Sequence, residues 1–183
     1  MRSPKTAAVI ISLCLTAFLG MATTAKTATV EQTTQAIHQK IDITSISNLD
    51  VAKQDEVICS ALNLYHEVRG QSEESMIAVA MATRNRASKK HTSICNTVWE
   101  KNQFIWTRFG PSRIIPTEVA AWDTSLKISV EVLTNSNMID PTGGADSFYS
   151  KKLNPRWARK GPRIVIGPHV FVSIYPNTPK DEG

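Results

Sequence analysis

The stretch Leu62-Asn63-Leu64-Tyr65-His66-Glu67-Val68-Arg69-Gly70-Gln71 decides how the chain is read. Through and upstream of it, Val57, Ile58, Ala61, Leu62, Leu64, Tyr65 and Val68 recur at intervals of three and four, the spacing of one buried helix face. Asp55 is placed to cap this helix. Gly70 is placed to end it, because glycine takes up the left-handed backbone of a helix C-terminus without a Cβ penalty. Ser72 then caps a second helix, with Glu73 and Glu74 in the first turn, where negative charge suits the dipole. Met76, Ile77, Val79, Ala80 and Thr83 carry it on to about Ala87. Glu67 therefore falls at a corner between two helices, where a carboxylate can be held rigidly at the lip of a cleft. On spacing alone, a helix-end glutamate that is exposed or paired with Arg69 is the simpler reading.

Beyond the corner, the pattern predicts a short helix over 94–100 and an extended piece over 103–107. Pro111 and Pro116 punctuate a loop, and a long helix runs from Thr117 to about Thr134 with Val119, Trp122, Leu126, Val130 and Leu133 inward. Asp140-Pro141-Thr142-Gly143-Gly144-Ala145 is turn chemistry. Residues 147–150 read as extended. Two β-rich runs, 163–166 and 170–174, flank Gly167-Pro168-His169 as a hairpin. The expected class is α+β: a mainly helical domain with a small sheet or hairpin.

The 183 residues, 42% hydrophobic and 20% charged, suit one ordinary domain. Arg2 and Lys5 precede an apolar run over 7–22, followed by small residues at two candidate cleavage sites, so 1–25 reads as a secretory signal. The alternative is a weak uncleaved anchor, and residues 7–22 could associate transiently with a membrane. Residues 26–50 read as a polar lead-in, 51–176 as the folded domain and 177–183 as a polar tail. The formal charge of +5 would fall to +3 without the signal. Its basic residues read as scattered, no nucleic-acid-binding signature is present, and no nucleic-acid partner is expected. With Cys14 in the signal, Cys59 and Cys95 remain. In an oxidising compartment they could form a disulfide; two buried free thiols are the alternative. The four histidines are dispersed and no CxxC or HExxH occurs, so neither a metal nor another cofactor is expected.

Several patches, taken together, resemble the SleB/CwlJ-type cell-wall hydrolase family. They are Tyr65-His66-Glu67-Val68-Arg69-Gly70; Ala78-Val79-Ala80 with Asn85-Arg86; Ile94-Cys95-Asn96-Thr97-Val98 leading to Gln103-Phe104-Ile105-Trp106; the Asp140–Ala145 turn; Trp157; and Ile166-Gly167-Pro168-His169-Val170-Phe171. They span about residues 56 to 175. The resemblance implies a lysozyme-like lytic transglycosylase that cuts peptidoglycan glycan strands between N-acetylmuramic acid and N-acetylglucosamine, with Glu67 as the catalytic acid. The family usually carries a second glutamate after the glycine, where this chain has Gln71, and an alanine where it has Val68. One carboxylate can suffice if it first protonates the leaving oxygen and then takes the proton of the sugar's own 6-hydroxyl, giving a 1,6-anhydro product. Such an acid must be protonated when substrate binds, and an apolar pocket can raise a glutamate from about 4.3 toward 6.

For the other residues the resemblance and the chemistry suggest roles beside plain structural ones. Gln103, Phe104 and Trp106 are candidates to line the sugar cleft, Thr142, Gly143, Gly144 and Ala145 to let backbone approach the saccharide, and Tyr149 to make a polar contact. Arg69, Asn85, Arg86, Trp157 and His169 are expected to support the site. Asp140 is expected to cap its turn, with a role as second carboxylate as the alternative. A hydrolytic, endolysin-like N-acetylmuramidase and a non-catalytic peptidoglycan-binding module are the competing functions. The expected setting is the periplasm, cell wall or extracellular space, with the protein as a monomer.

Overall fold

A computed structural model describes residues 43–158 and 161–175. The expected signal, most of the lead-in and the polar tail lie outside these residues. A short 3-10 turn, Thr44–Ile46, leads in, and Ile46 is fully buried. Helix α1 (Val51–Val68) starts earlier than expected: its cap is Asp50, whose side chain accepts from Lys53 N–H at 2.8 Å, and Asp55 lies inside the helix. It ends as the glycine predicts, with Gly70 at φ 78°. Ser72 caps α2 (Glu73–Lys89) by accepting from Ser75 N–H. The tight helix–corner–helix unit follows the local sequence signals.

Past α2, the short helix α3 (Ile94–Val98) is held at its start by Glu56, whose carboxylate accepts from Ile94 N–H at 2.6 Å. The expected extended piece over 103–107 is instead a 3-10 turn, Ile105–Arg108, entered from an extended Phe104. The expected loop between the prolines contains a short helix, α4 (Pro111–Ile114). Helix α5 (Val119–Thr134) buries Trp122, Leu126, Ile128 and Val132. Val119 is exposed, contrary to expectation, because the first turn of α5 projects past the core. The start of α5 is tied to α1 by Tyr65, whose hydroxyl accepts from the N–H groups of Thr117 and Glu118 at 3.1 and 3.2 Å.

Strands β1 (Ser147–Ser150), β2 (Ile164–Ile166) and β3 (His169–Val172) form an antiparallel sheet in the order β1-β3-β2. The hairpin is as expected. Its turn needs glycine for two reasons: Gly167 has φ 55°, and a Cβ there would lie 2.2 Å from Ser75 Oγ. The turn is thereby packed onto the first turn of α2, beside the corner. The class is α+β, as the sequence predicts.

Two apolar clusters meet at α1. One gathers Ile58, Leu62, Trp106, Trp122 and Leu126 with the Cys59–Cys95 disulfide, which joins α1 to α3 at a Cα–Cα distance of 5.2 Å. The other packs Leu64, Val68, Val79, Met81 and Ile128 against Ile166 and Phe171 of the sheet. Two buried polar links join these elements: Ser129 donates to Ser60 across α5 and α1 at 3.0 Å, and Asn63 bridges Thr83 and the Trp106 indole.

Candidate active site

Glu67 stands on the last turn of α1, half-buried, at the edge of a cleft of about 330 Å³ between the α1–α2 corner and the sheet. The helical wall contributes Glu67, Thr83 and Arg86, the strap after α3 contributes Gln103, Phe104 and Ile105, and the sheet wall contributes residues 147–150, Leu153 and His169. All four residues of β1 line the cleft. Successive side chains of a strand point to opposite faces, so backbone as well as side-chain atoms of β1 contribute to the lining. β1 is an edge strand of the sheet, leaving backbone N–H and C=O groups on that side for a ligand.

Two carboxylates share the cleft, in opposite states. Glu67 has no hydrogen bond or ion pair among the described residues, and burial alone pushes its carboxyl up from the ordinary glutamate value. Asp146 is fully buried and saturated: Lys89 Nζ lies 2.9 Å away, Ser147 Oγ donates at 2.9 Å, and the N–H groups of Ile174 and Tyr175 donate at 3.0 and 3.2 Å. Asp146 is therefore a structural anion, committed before any substrate arrives. The cleft's histidine, His169, is half-buried and held by desolvation below its ordinary pKa, and its Nδ1 is buried without a partner among the described residues. Both unpaired titratable groups, Glu67 and His169, are thus biased toward their neutral forms, as expected of a poorly solvated cavity.

The remaining expected residues separate into those at the cleft and those behind it. Gln103, Phe104, Tyr149, Arg86 and His169 line it. Arg86 reaches Glu100 at 3.3 Å and the Tyr175 hydroxyl at 3.1 Å, while its Nε is buried without a partner among the described residues. Trp106 does not line the cleft. It is buried, stacked on His66 at 4.6 Å, and its indole N–H donates to Asn63. Thr142, Gly143, Gly144 and Ala145 also lie outside the lining. Their turn is wrapped around Asp140, whose carboxylate accepts from Thr142 N–H, Thr142 Oγ1, Gly144 N–H and Asn85 Nδ2, and Asn85 also donates to the Ala145 carbonyl. Asn85 and Asp140 thus hold up the loop that leads into β1.

Arg69 donates to the Tyr65 carbonyl and pairs with Glu118, turned away from Glu67 toward α5. Gln71, where the family usually has its second glutamate, is exposed and outside the cleft lining. Trp157 is 51% exposed and meets Tyr149 edge-on at 5.6 Å. Sequence reasoning missed Thr83, Asp146, Phe148 and the β1 edge. Only the sheet order could have found the edge. No group of three or more His, Cys, Asp or Glu side chains suited to a metal occurs among the described residues.

A family model described as Cell Wall Hydrolase matches residues 70–172, more than half of the chain. The protein belongs to this family of SleB/CwlJ-type cell wall hydrolases, and its substrate class is accordingly peptidoglycan. The matched segment starts three residues after Glu67, so the case for that residue rests on the cleft and on the motif around it. Neither a curated protein nor a solved structure matches the chain.

Proposed function

We propose that the protein is an exported lytic transglycosylase that cleaves the bond between N-acetylmuramic acid and N-acetylglucosamine, with Glu67 as the only acid and base. The observation that carries this reading is the contrast within the cleft: one carboxyl is unpaired and raised by burial, and the other is neutralised by Lys89. A two-acid glycosidase needs a second carboxylate free to act as nucleophile or to activate water. Asp146 has no such freedom. Protonated Glu67 delivers its proton to the glycosidic oxygen as the bond breaks. The resulting carboxylate then takes the proton of the muramic 6-hydroxyl as that oxygen closes on C1, leaving a 1,6-anhydro end and a regenerated acid. The strand would lie along the β1 edge, where backbone groups can meet the acetamido groups, with Gln103, Tyr149 and Arg86 beside it.

Export is supported by the Arg2–Ala25 signal pattern and by the Cys59–Cys95 disulfide, a bond that persists in oxidising compartments. Among the described residues no helix is long and apolar enough to cross a membrane. The direct test is Glu67→Gln assayed on purified sacculi. Loss of fragment release with the fold intact supports the assignment, and retained release removes Glu67 from the chemistry.

A further inference from the structure

Charge that reads as scattered over the whole chain is concentrated in one region of the fold. Between Ser147 and Pro179 the sequence has no Asp or Glu, yet Lys151, Lys152, Arg156, Arg159, Lys160 and Arg163 fall within it. Lys152, Arg156 and Arg163 are exposed, and none of them has a salt bridge among the described residues. The strand register spreads them out. Lys151 and Lys152 follow β1 at the end where Ser150 faces His169. Arg163 precedes β2 at the opposite end, where Ile164 faces Phe171. Arg156 opens the 3-10 turn Arg156–Ala158, whose Ala158 packs with Tyr149, Val170 and Val172 on the sheet. Four strand residues span about 13 Å, so these cations are spread over both ends of the sheet rather than gathered at a single point.

Part of this basic surface adjoins the cleft. Leu153, 63% exposed, follows Lys152 directly and lines the cleft itself. Trp157, beside Arg156, rests edge-on against Tyr149, which also lines the cleft. A glycan strand leaving the cleft past Leu153 would therefore meet Lys152 and Arg156, neither of which has a salt bridge among the described residues.

We propose that Lys152, Arg156 and Arg163, with Trp157, form a second binding surface that takes the free carboxylates of the peptides borne by the glycan strand. This inference rests on the glycan-cleaving reading above. Where the lactyl carboxyl of muramic acid is taken up in its amide to the peptide, the sugars are neutral and give the cations no partner. Peptides attached through the lactyl ethers of muramic acid present carboxylates at regular intervals beside it. Contacts of this exposed kind are weak singly and screened by salt, and they add up along a polymer.

The test is co-sedimentation of the Glu67→Gln protein, with and without the triple change Lys152→Gln, Arg156→Gln and Arg163→Gln. Binding is measured on intact strands, on strands whose carboxylates are capped as neutral amides, and on strands stripped of wall phosphate polymers. The expected result is about tenfold weaker binding of the triple variant to intact and to phosphate-stripped strands at low salt, with a flatter salt dependence. On amide-capped strands the two proteins should differ by less than twofold. The charge-preserving set Lys152→Arg, Arg156→Lys and Arg163→Lys should recover most of the affinity, which separates charge from folding. Equal binding of both proteins to intact strands overturns the proposal, as does a difference that survives capping or vanishes with the phosphate polymer. Fragment release by Glu67→Gln is scored in the same tubes, so failure of the catalytic reading is told apart from failure of this one.

Discussion

The two sides of the cleft handle charge in opposite ways. Residues 43–146, which supply the helices and the loop into the sheet, hold twelve carboxylates and ten lysines or arginines. Several of these are paired across elements, as in Arg69–Glu118, Arg86–Glu100 and Lys89–Asp146. Residues 147–175 hold six cations and no carboxylate. The helical side is also fastened by a disulfide and by buried hydrogen bonds through Asn63 and Ser129, whereas the sheet side offers a strand edge and cations without a salt bridge among the described residues. A site that moves one proton needs its acid fixed and its other charges neutralised. A surface that holds a polymer needs groups left unsatisfied. On the proposed reading, the division would put the chemistry on one wall and the recognition on the other.

That division can be broken most severely at Glu67. Glu67→Gln keeps the shape and removes the proton, and turnover on sacculi should fall by about 10²–10⁴-fold or more, as expected for the loss of a general acid. The sheet wall should be unaffected, so sedimentation with sacculi should persist. Next in size is the fixed charge behind the cleft. Asp146→Asn strands the buried Lys89 ammonium, and unfolding in urea should show a loss of about 3–5 kcal/mol. If the change is nearly neutral, Asp146 is not the saturated anion described above, and its exclusion from the chemistry falls with it. Removing the Cys59–Cys95 crosslink by Cys95→Ala should cost about 2–4 kcal/mol, read as a drop in Tm under non-reducing conditions.

The smallest effect is the pH signature of Glu67 itself. Its folded pKa is raised above the unfolded value, so the folded state binds more protons in the window between the two. The stability contribution is therefore fully present below the unfolded pKa and is lost as pH rises through the folded one. Glu67→Gln should be more stable than the parent at neutral pH, and the gap should close in acid. A gap that widens in acid would mean that Glu67 is held as an anion, contrary to the proposed role. The same raised pKa makes cleavage fall as pH climbs past it.

Much of the helical wall was legible in the sequence because its signals are local. The 57–68 periodicity, Gly70, the Ser72 cap and the Gly167-Pro168 turn each act within a few residues. The errors there were small: Asp50 rather than Asp55 caps α1, because the polar residues Lys53 and Gln54 join the helix ahead of its apolar face. The sheet wall was legible only in part. Which strand lies at an edge depends on β3 inserting between β1 and β2, a long-range fact that alternation along 147–150 cannot reveal. Trp106 carried the right residue type for a sugar platform, but its indole is committed to Asn63 and His66 in the core. The glycines at 143 and 144 serve the Asp140-centred turn behind the cleft, where φ values of 60° and 84° require them. The cationic surface was visible as residues, yet its concentration emerges only when the chain is divided where the fold divides it.

The central claim is that one acid suffices because the other carboxylate in the cleft is already bound. Mass spectrometry of the fragments released from sacculi tests it most directly. The account predicts muramic ends in the 1,6-anhydro form, one water lighter than the hydrolytic product and without a reducing end. Fragments with reducing muramic ends would show that water is the nucleophile, and would contradict the assignment of Glu67 as the only acid and base.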